Sequence, residues 1–158
     1  MHVSRPDRRR LMAALPFAAL AGLWRASPAA AQSGTGTQPL WQPPEPTKAA
    51  FLARAHALRD EAVRDGDQPY GAVVVRNGVI VGEAKSRIVI DTDPTAHSEL
   101  LAVRDAARRL GTRDLSDCDV YSNATPCPMC QAALYWGRVR RVFNQGTLEQ
   151  GVAPRLGC

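Results

Sequence analysis

Four residues of this chain have the types and spacing to build a hydrolytic metal site: His97 and Glu99 in H-S-E, and Cys127 and Cys130 in the later P-C-P-M-C. An imidazole and two thiolates are ligands that zinc favours. Three protein ligands leave the fourth tetrahedral position to water, as a catalytic rather than a structural zinc requires. Glu99 is then the carboxylate that takes a proton from that water and hands it to a leaving group, the acid/base half of a hydrolysis. Two other readings compete. A redox dithiol at Cys127-Pro128-Met129-Cys130 would suit an oxidising compartment, but it has no need of H-S-E upstream. A zinc-binding protein without activity would have no need of Glu99.

Those residues must be carried to one point by regular elements. Lys48 to Asp65 places Phe51, Leu52, Ala55, Leu58 and Ala62 at helical spacing and stops before Gly66. Gly71 to Val75 and Val79 to Val81 read as strands joined through Arg76-Asn77-Gly78, where Asn-Gly signals a tight hairpin. Thr95 to Leu110 reads as a helix with Leu100, Val103, Ala107 and Leu110 inward, terminated by Gly111. Cys118 to Ser122 is a third strand, Cys127 to Trp136 a helix and Arg141 to Asn144 a fourth strand. Strands alternating with helices predict an α/β fold, a three-layer α/β/α sandwich. In that layout His97 lies in the first turn of one helix. Cys127 and Cys130 share one face at the start of the next, so the zinc site forms at two helix N-termini. Partial positive charge there favours thiolate over thiol, and Pro126 and Pro128 suit a helix start because no donor N–H is needed.

The first part of the chain reads as targeting sequence rather than fold. Residues 1–31 have a basic start at Arg5, Arg8, Arg9 and Arg10, an apolar run from Leu11 to Trp24, and Ala29-Ala30-Ala31 as an A-x-A cleavage pattern. This is an export signal, and the paired arginines before Leu11 and Met12 point to the twin-arginine route, hence to the periplasm. The apolar run, interrupted by Pro16, falls short of the ~20 residues a membrane span needs, so membrane contact is expected only through the signal. Residues 32–46, rich in Gly, Thr, Gln and Pro, read as a flexible linker.

Charge changes meaning once the signal is set aside. The chain has 20 Lys+Arg and 15 Asp+Glu; residues 1–31 hold five and one of them, leaving 15 − 14 = +1 for the rest. Nothing in that balance calls for nucleic acid as partner, and Arg138, Arg140 and Arg141 read as a solvated strand approach. Cys118 reads as a small buried strand residue, while Cys158 is unassigned.

Beyond the four residues, Pro69-Tyr70-Gly71-Ala72-Val73-Val74-Val75, Asp93-Pro94-Thr95-Ala96-His97-Ser98-Glu99 and Ala133-Leu134-Tyr135-Trp136 resemble the cytidine deaminase superfamily, in its nucleobase and nucleoside branch. H-x-E with P-C-x-x-C is the mark of zinc deaminases. The resemblance runs from about residue 47 to 147 within a deaminase domain at 47–158. It implies a central mixed sheet, one Zn²⁺ per chain, a homodimer, and hydrolytic deamination with Glu99 shuttling the proton. D-P-T-A-H followed by Y-W resembles bacterial guanine deaminases more than cytosine deaminases, so guanine or guanosine is the first expectation. Cytosine, cytidine and the adenosine of tRNA remain alternatives. Ser86, Tyr70, Ala96, Pro126 and Trp136 are the candidate substrate contacts, Tyr70 and Trp136 being equally readable as packing aromatics. Three positions depart from the relatives: Ser86 stands where many carry Asn, Ser98 where Ala is usual, and Thr125 where Glu is common. Relatives continue through further helices after the fourth strand, so the end at Cys158 implies either a more open pocket or an incomplete sequence.

Overall fold

The computed structural model describes residues 38–144 in full and the backbone of 147–150. The expected export signal, residues 32–37 of the expected linker, and Cys158 lie outside the described residues. Among the described residues no helix is long and apolar enough to cross a membrane.

Helix α1 (Lys48–Arg64) starts where Thr47 accepts the Ala50 N–H on its side chain, and buries Phe51, Ala55, Leu58 and Ala62. Strands β1 (Gly71–Arg76) and β2 (Val79–Lys85) follow as a hairpin. Asn77 and Gly78, at φ 51° and 78°, supply the two left-handed residues that a two-residue turn of this hand requires. Helix α2 (Ser98–Leu110), β3 (Cys118–Ser122), helix α3 (Pro128–Trp136), β4 (Arg141–Asn144) and β5 (Thr147–Gln150) complete the order. The sheet runs β2-β1-β3-β4-β5, with β3 and β4 parallel and the other pairs antiparallel.

Alternation along β1, an inner strand of the sheet, divides the core in two. Ala72 and Val74 of β1 pack with Ala102, Val103, Ala106 and Leu134 from α2 and α3, while Val73 and Val75 pack with Phe51 and Leu58 from α1. Tyr121 joins the second core, stacked on Phe143 at 4.8 Å between ring centroids. The result is the expected three-layer α/β/α sandwich on a mixed sheet.

Three local expectations are corrected. Helix α2 begins at Ser98 rather than Thr95, because the Asp93 carboxylate accepts from the Thr95 amide and hydroxyl at 2.8 and 2.7 Å and holds those residues in a turn. Its inward face is Ala102, Val103 and Ala106, with Leu100, Ala107 and Leu110 only partly covered. The reason is Gly82 on β2: a Cβ there would stand 2.5 Å from the Ala106 nitrogen and 2.7 Å from the Ala102 carbonyl oxygen. The helix backbone lies directly on that strand, so only small residues fit between them. We expect Gly82→Ala to cost the upper end of the ~1–3 kcal/mol that overpacking incurs. This would appear as a fall in Tm of roughly 4–8 °C per kcal/mol. An unchanged Tm would mean that helix and strand do not touch as described.

The third correction concerns residues 38–46, expected to be flexible. Gln42 donates to the Ile80 carbonyl at 2.8 Å and accepts the Ile80 amide at 2.9 Å, so a side-chain amide takes the place of a neighbouring strand on β2. Leu40 packs against the α1 core, and Arg109 donates to the Gln38 carbonyl at 2.8 Å.

Candidate metal centre

Helices α2 and α3 bring the ligand candidates together through an unusual use of their first positions. N-caps are commonly Ser, Thr, Asp or Asn, whose side chains accept a backbone N–H. Here the N-caps are His97 and Cys127, both in extended backbone and neither making a side-chain cap bond. Each side chain turns instead toward the space between the helices. The nearest ligand atoms of His97, Cys127 and Cys130 all lie within 4.8 Å of one another, and His97 Nδ1 stands 3.7 Å from Cys127 Sγ. Tetrahedral zinc, with bonds of about 2.0–2.1 Å to nitrogen and about 2.3 Å to sulfur, places such atoms roughly 3.6–3.8 Å apart. The donor set fits zinc, and the His97–Cys127 separation matches that spacing.

His97 caps the helix rather than lying in its first turn, because the turn at Asp93 delays the helix start. Pro128 is the first residue of α3, and Cys130 lies two residues further on, one helical step from Cys127. Burial pushes the Cys130 thiol up, and the charges of Glu99 and Cys127 add to this. The expected preference of a helix N-terminus for thiolate is therefore outweighed at this residue. A dication reverses that balance, since it stabilises the thiolate that burial disfavours.

Glu99 is 4% exposed and held at both oxygens. Oε1 accepts from the Ser122 hydroxyl at 3.1 Å; Oε2 accepts from the Ser98 hydroxyl at 3.1 Å and lies 3.6 Å from Cys130 Sγ. The carboxylate thus faces the ligand cluster in a fixed orientation. Ser98, singled out in the sequence as a departure, turns out to be one of the two groups that hold it. Ser122 was missed. Its place at the last position of β3, in register with the α2 face of the sheet, is a signal that only the strand pairing reveals.

The candidate substrate contacts divide into two groups. The Ser86 amide donates to the Tyr70 carbonyl at 2.9 Å, and the Arg87 amide donates to the Ala96 carbonyl at 3.1 Å. Ser86, Tyr70 and Ala96 are therefore stitched together, with Ala96 directly preceding His97. Ser86 and Ala96 are buried and Tyr70 is half-buried. Ser86 is not on a solvated strand end; its hydroxyl is enclosed and makes no regular hydrogen bond among the described residues. Pro126 is buried beside Cys127, and its carbonyl accepts from Gln131 at 3.1 Å. Thr125 pairs with Asn144 at 3.2 Å. Trp136 stands apart from the cluster. It lies nine residues beyond Cys127 on α3, roughly 13 Å along the helix axis, is 65% exposed, and lines a groove with Tyr135, Leu100 and Ala107. Cys118 is fully buried in β3, its thiol pushed up to about 12 by burial and then by Asp117.

Comparison with known proteins places this geometry in context. Residues 46–145 match the cytidine and deoxycytidylate deaminase zinc-binding region. A guanine deaminase from Bacillus subtilis (strain 168) is 45% identical over 94 residues, 59% of this chain and 60% of that protein. A tRNA-specific adenosine deaminase from Aquifex aeolicus (strain VF5) is 39% identical over 96 residues, 61% of this chain and 64% of that protein. The X-ray structure of a guanine deaminase from Bacillus subtilis superposes with a TM-score of 0.61 at 42% identity, covering 63% of this chain and 64% of the other. The chain thus spans a little under two thirds of the length of these relatives.

Proposed function

Because the chain belongs to the cytidine and deoxycytidylate deaminase family, we propose that it hydrolyses the exocyclic amine of a nucleobase or nucleoside and releases ammonia, guanine or guanosine being the preferred substrate. The observation that carries this reading is the buried Glu99 carboxylate fixed beside the His97, Cys127 and Cys130 cluster. When bound, a zinc ion supplies Lewis acidity and brings the pKa of a coordinated water to about 7. The chain's own residues do the rest. Glu99 Oε2, on the Cys130 side, is the atom placed to accept a proton and later deliver it to the departing amine. The hydroxyls of Ser98 and Ser122 keep the carboxylate from turning away between those two transfers. Ser86, Tyr70 and Ala96 form the wall proposed to orient the ring, with Pro126 on the α3 side. Water is consumed, a C–N bond breaks, and a carbonyl replaces the amine.

The guanine preference draws on the similarity to guanine deaminases in sequence and in structure. The similarity to a tRNA-specific adenosine deaminase sustains the second reading. Against it stand the charge of +1 outside residues 1–31 and the export signal, which would separate the protein from tRNA. The proposal includes one zinc per chain, assembly as a homodimer and a periplasmic location.

A panel of guanine, guanosine, adenine, adenosine, cytosine and cytidine, with ammonia as the readout and zinc-loaded protein as the enzyme, tests the reading. The largest kcat/KM is expected for guanine or guanosine. A preference for adenosine or cytidine would move the substrate; no ammonia from any of the six would remove the activity.

A further inference from the structure

The segment between β2 and α2 leads into His97, yet little apolar burial holds it. Of its three large apolar side chains, Val89 and Ile90 are 58% and 43% exposed and Ile88 is only half-buried. Its ion pair, Arg87 with Asp91, is exposed on both sides, and such pairs contribute little. Thr92 nevertheless adopts φ 51°, a left-handed conformation that a β-branched residue takes only when its surroundings impose it. Something must fix this loop, and the candidate comes from the other side of the molecule's hairpin.

Asp67, between α1 and β1, is 8% exposed and reaches the loop with both oxygens. Oδ1 accepts the amides of Gln68 and Ile88 at 2.7 and 3.1 Å; Oδ2 accepts those of Val89 and Ile90 at 2.9 and 3.0 Å. We propose that Asp67 is a positioning residue for the deamination: its carboxylate clamps the Arg87–Ala96 loop and so keeps Ser86 and Ala96 in place beside Tyr70. This rests on the deaminase reading above. Hydrogen bonds to a buried carboxylate are charge-assisted and stronger than neutral ones. Burial alone would raise the Asp67 carboxyl, but the Ile90 amide, then the nearby Ser86 hydroxyl, then the Gln68 and Val89 amides hold it down to about 2, so the clamp is ionised wherever the enzyme would work. The loop's two ends are closed by the Ser86 to Tyr70 and Arg87 to Ala96 backbone bonds, so a shift at Ile88–Ile90 is transmitted to the wall of the site and not to Glu99.

The test uses the zinc-loaded full chain with Asp67→Asn and Asp67→Ala. In Asp67→Asn one oxygen becomes an NH2 group, so two of the four amides lose their acceptor while the side chain keeps its size. Amide hydrogen exchange at Ile88–Ile90 is expected to accelerate. KM for guanine is expected to rise roughly tenfold or more, the scale of losing an outer-shell support, with zinc content unchanged and kcat little changed. Unchanged exchange in Asp67→Asn would overturn the clamp. Faster exchange with unchanged KM, or a lower Tm alone, would overturn the positioning role even if Asp67→Ala fails to fold. A wild-type chain that releases no ammonia from any base removes the deamination reading instead, and the exchange rates still decide the clamp.

Discussion

Glu99→Gln is expected to keep its zinc and its fold while turnover falls by at least the ~10²-fold attributed to general acid/base catalysis. The argument is local. Glutamine has the size of glutamate, so the space between α2, α3 and β3 remains filled. The hydroxyls of Ser98 and Ser122, which now donate to Oε2 and Oε1, can each rotate to accept from an amide NH2, so neither oxygen position loses its partner. What is lost is the carboxylate fixed beside the ligand cluster, able to take a proton and return it. His97 and Cys130 are engaged as metal ligands in this reading and cannot substitute. Turnover, zinc per chain and Tm should be measured together on the same preparation. A variant with near-wild-type turnover would place the proton transfer on another group; one that unfolds or loses zinc would show that the charge of Glu99 is structural.

How much of this was legible from the sequence follows from how local each feature is. The Asn77-Gly78 turn and the strand Cys118–Ser122 were read correctly because nearest neighbours decide them. The cluster of His97, Cys127 and Cys130 was legible because metal coordination restricts residue type and spacing more tightly than packing does. The inward face of α2 was legible only in part: Val103 is in the core and Leu110 packs against it. Leu100, Val103, Ala107 and Leu110 follow the apolar period, but the close approach at Gly82 selects the smaller Ala102 and Ala106, a choice made by another strand. The same holds for Gln42, whose sequence surroundings read as a tether and whose amide nonetheless pairs with β2. Asp67 and Ser122 were invisible for a related reason. A carboxylate in a turn and a serine at a strand end have ordinary local explanations, and their partners lie more than twenty residues away. Strand β5 was not anticipated either; its backbone pairs with β4 from Arg141 to Asn144.

Removing any one of the three ligands should strip the zinc. His97→Ala, Cys127→Ala and Cys130→Ala each leave two protein ligands, and the loss of affinity should exceed the ~10–100-fold that follows from removing an outer-shell partner. Stoichiometric zinc in all three variants would sink the assignment. The redox reading makes the opposite forecast, and thiol labelling separates the two. Cys127 is the reporter, being half-buried where Cys130 and Cys118 are fully buried, and Cys158→Ser removes the terminal thiol from the background. A zinc thiolate at Cys127 should label slowly until a chelator is added and quickly afterwards. A dithiol should label at one rate with or without chelator. Chelator-independent labelling together with no zinc in the isolated protein would leave Glu99 without a water to deprotonate, and would turn the H-S-E motif into an ordinary helix start.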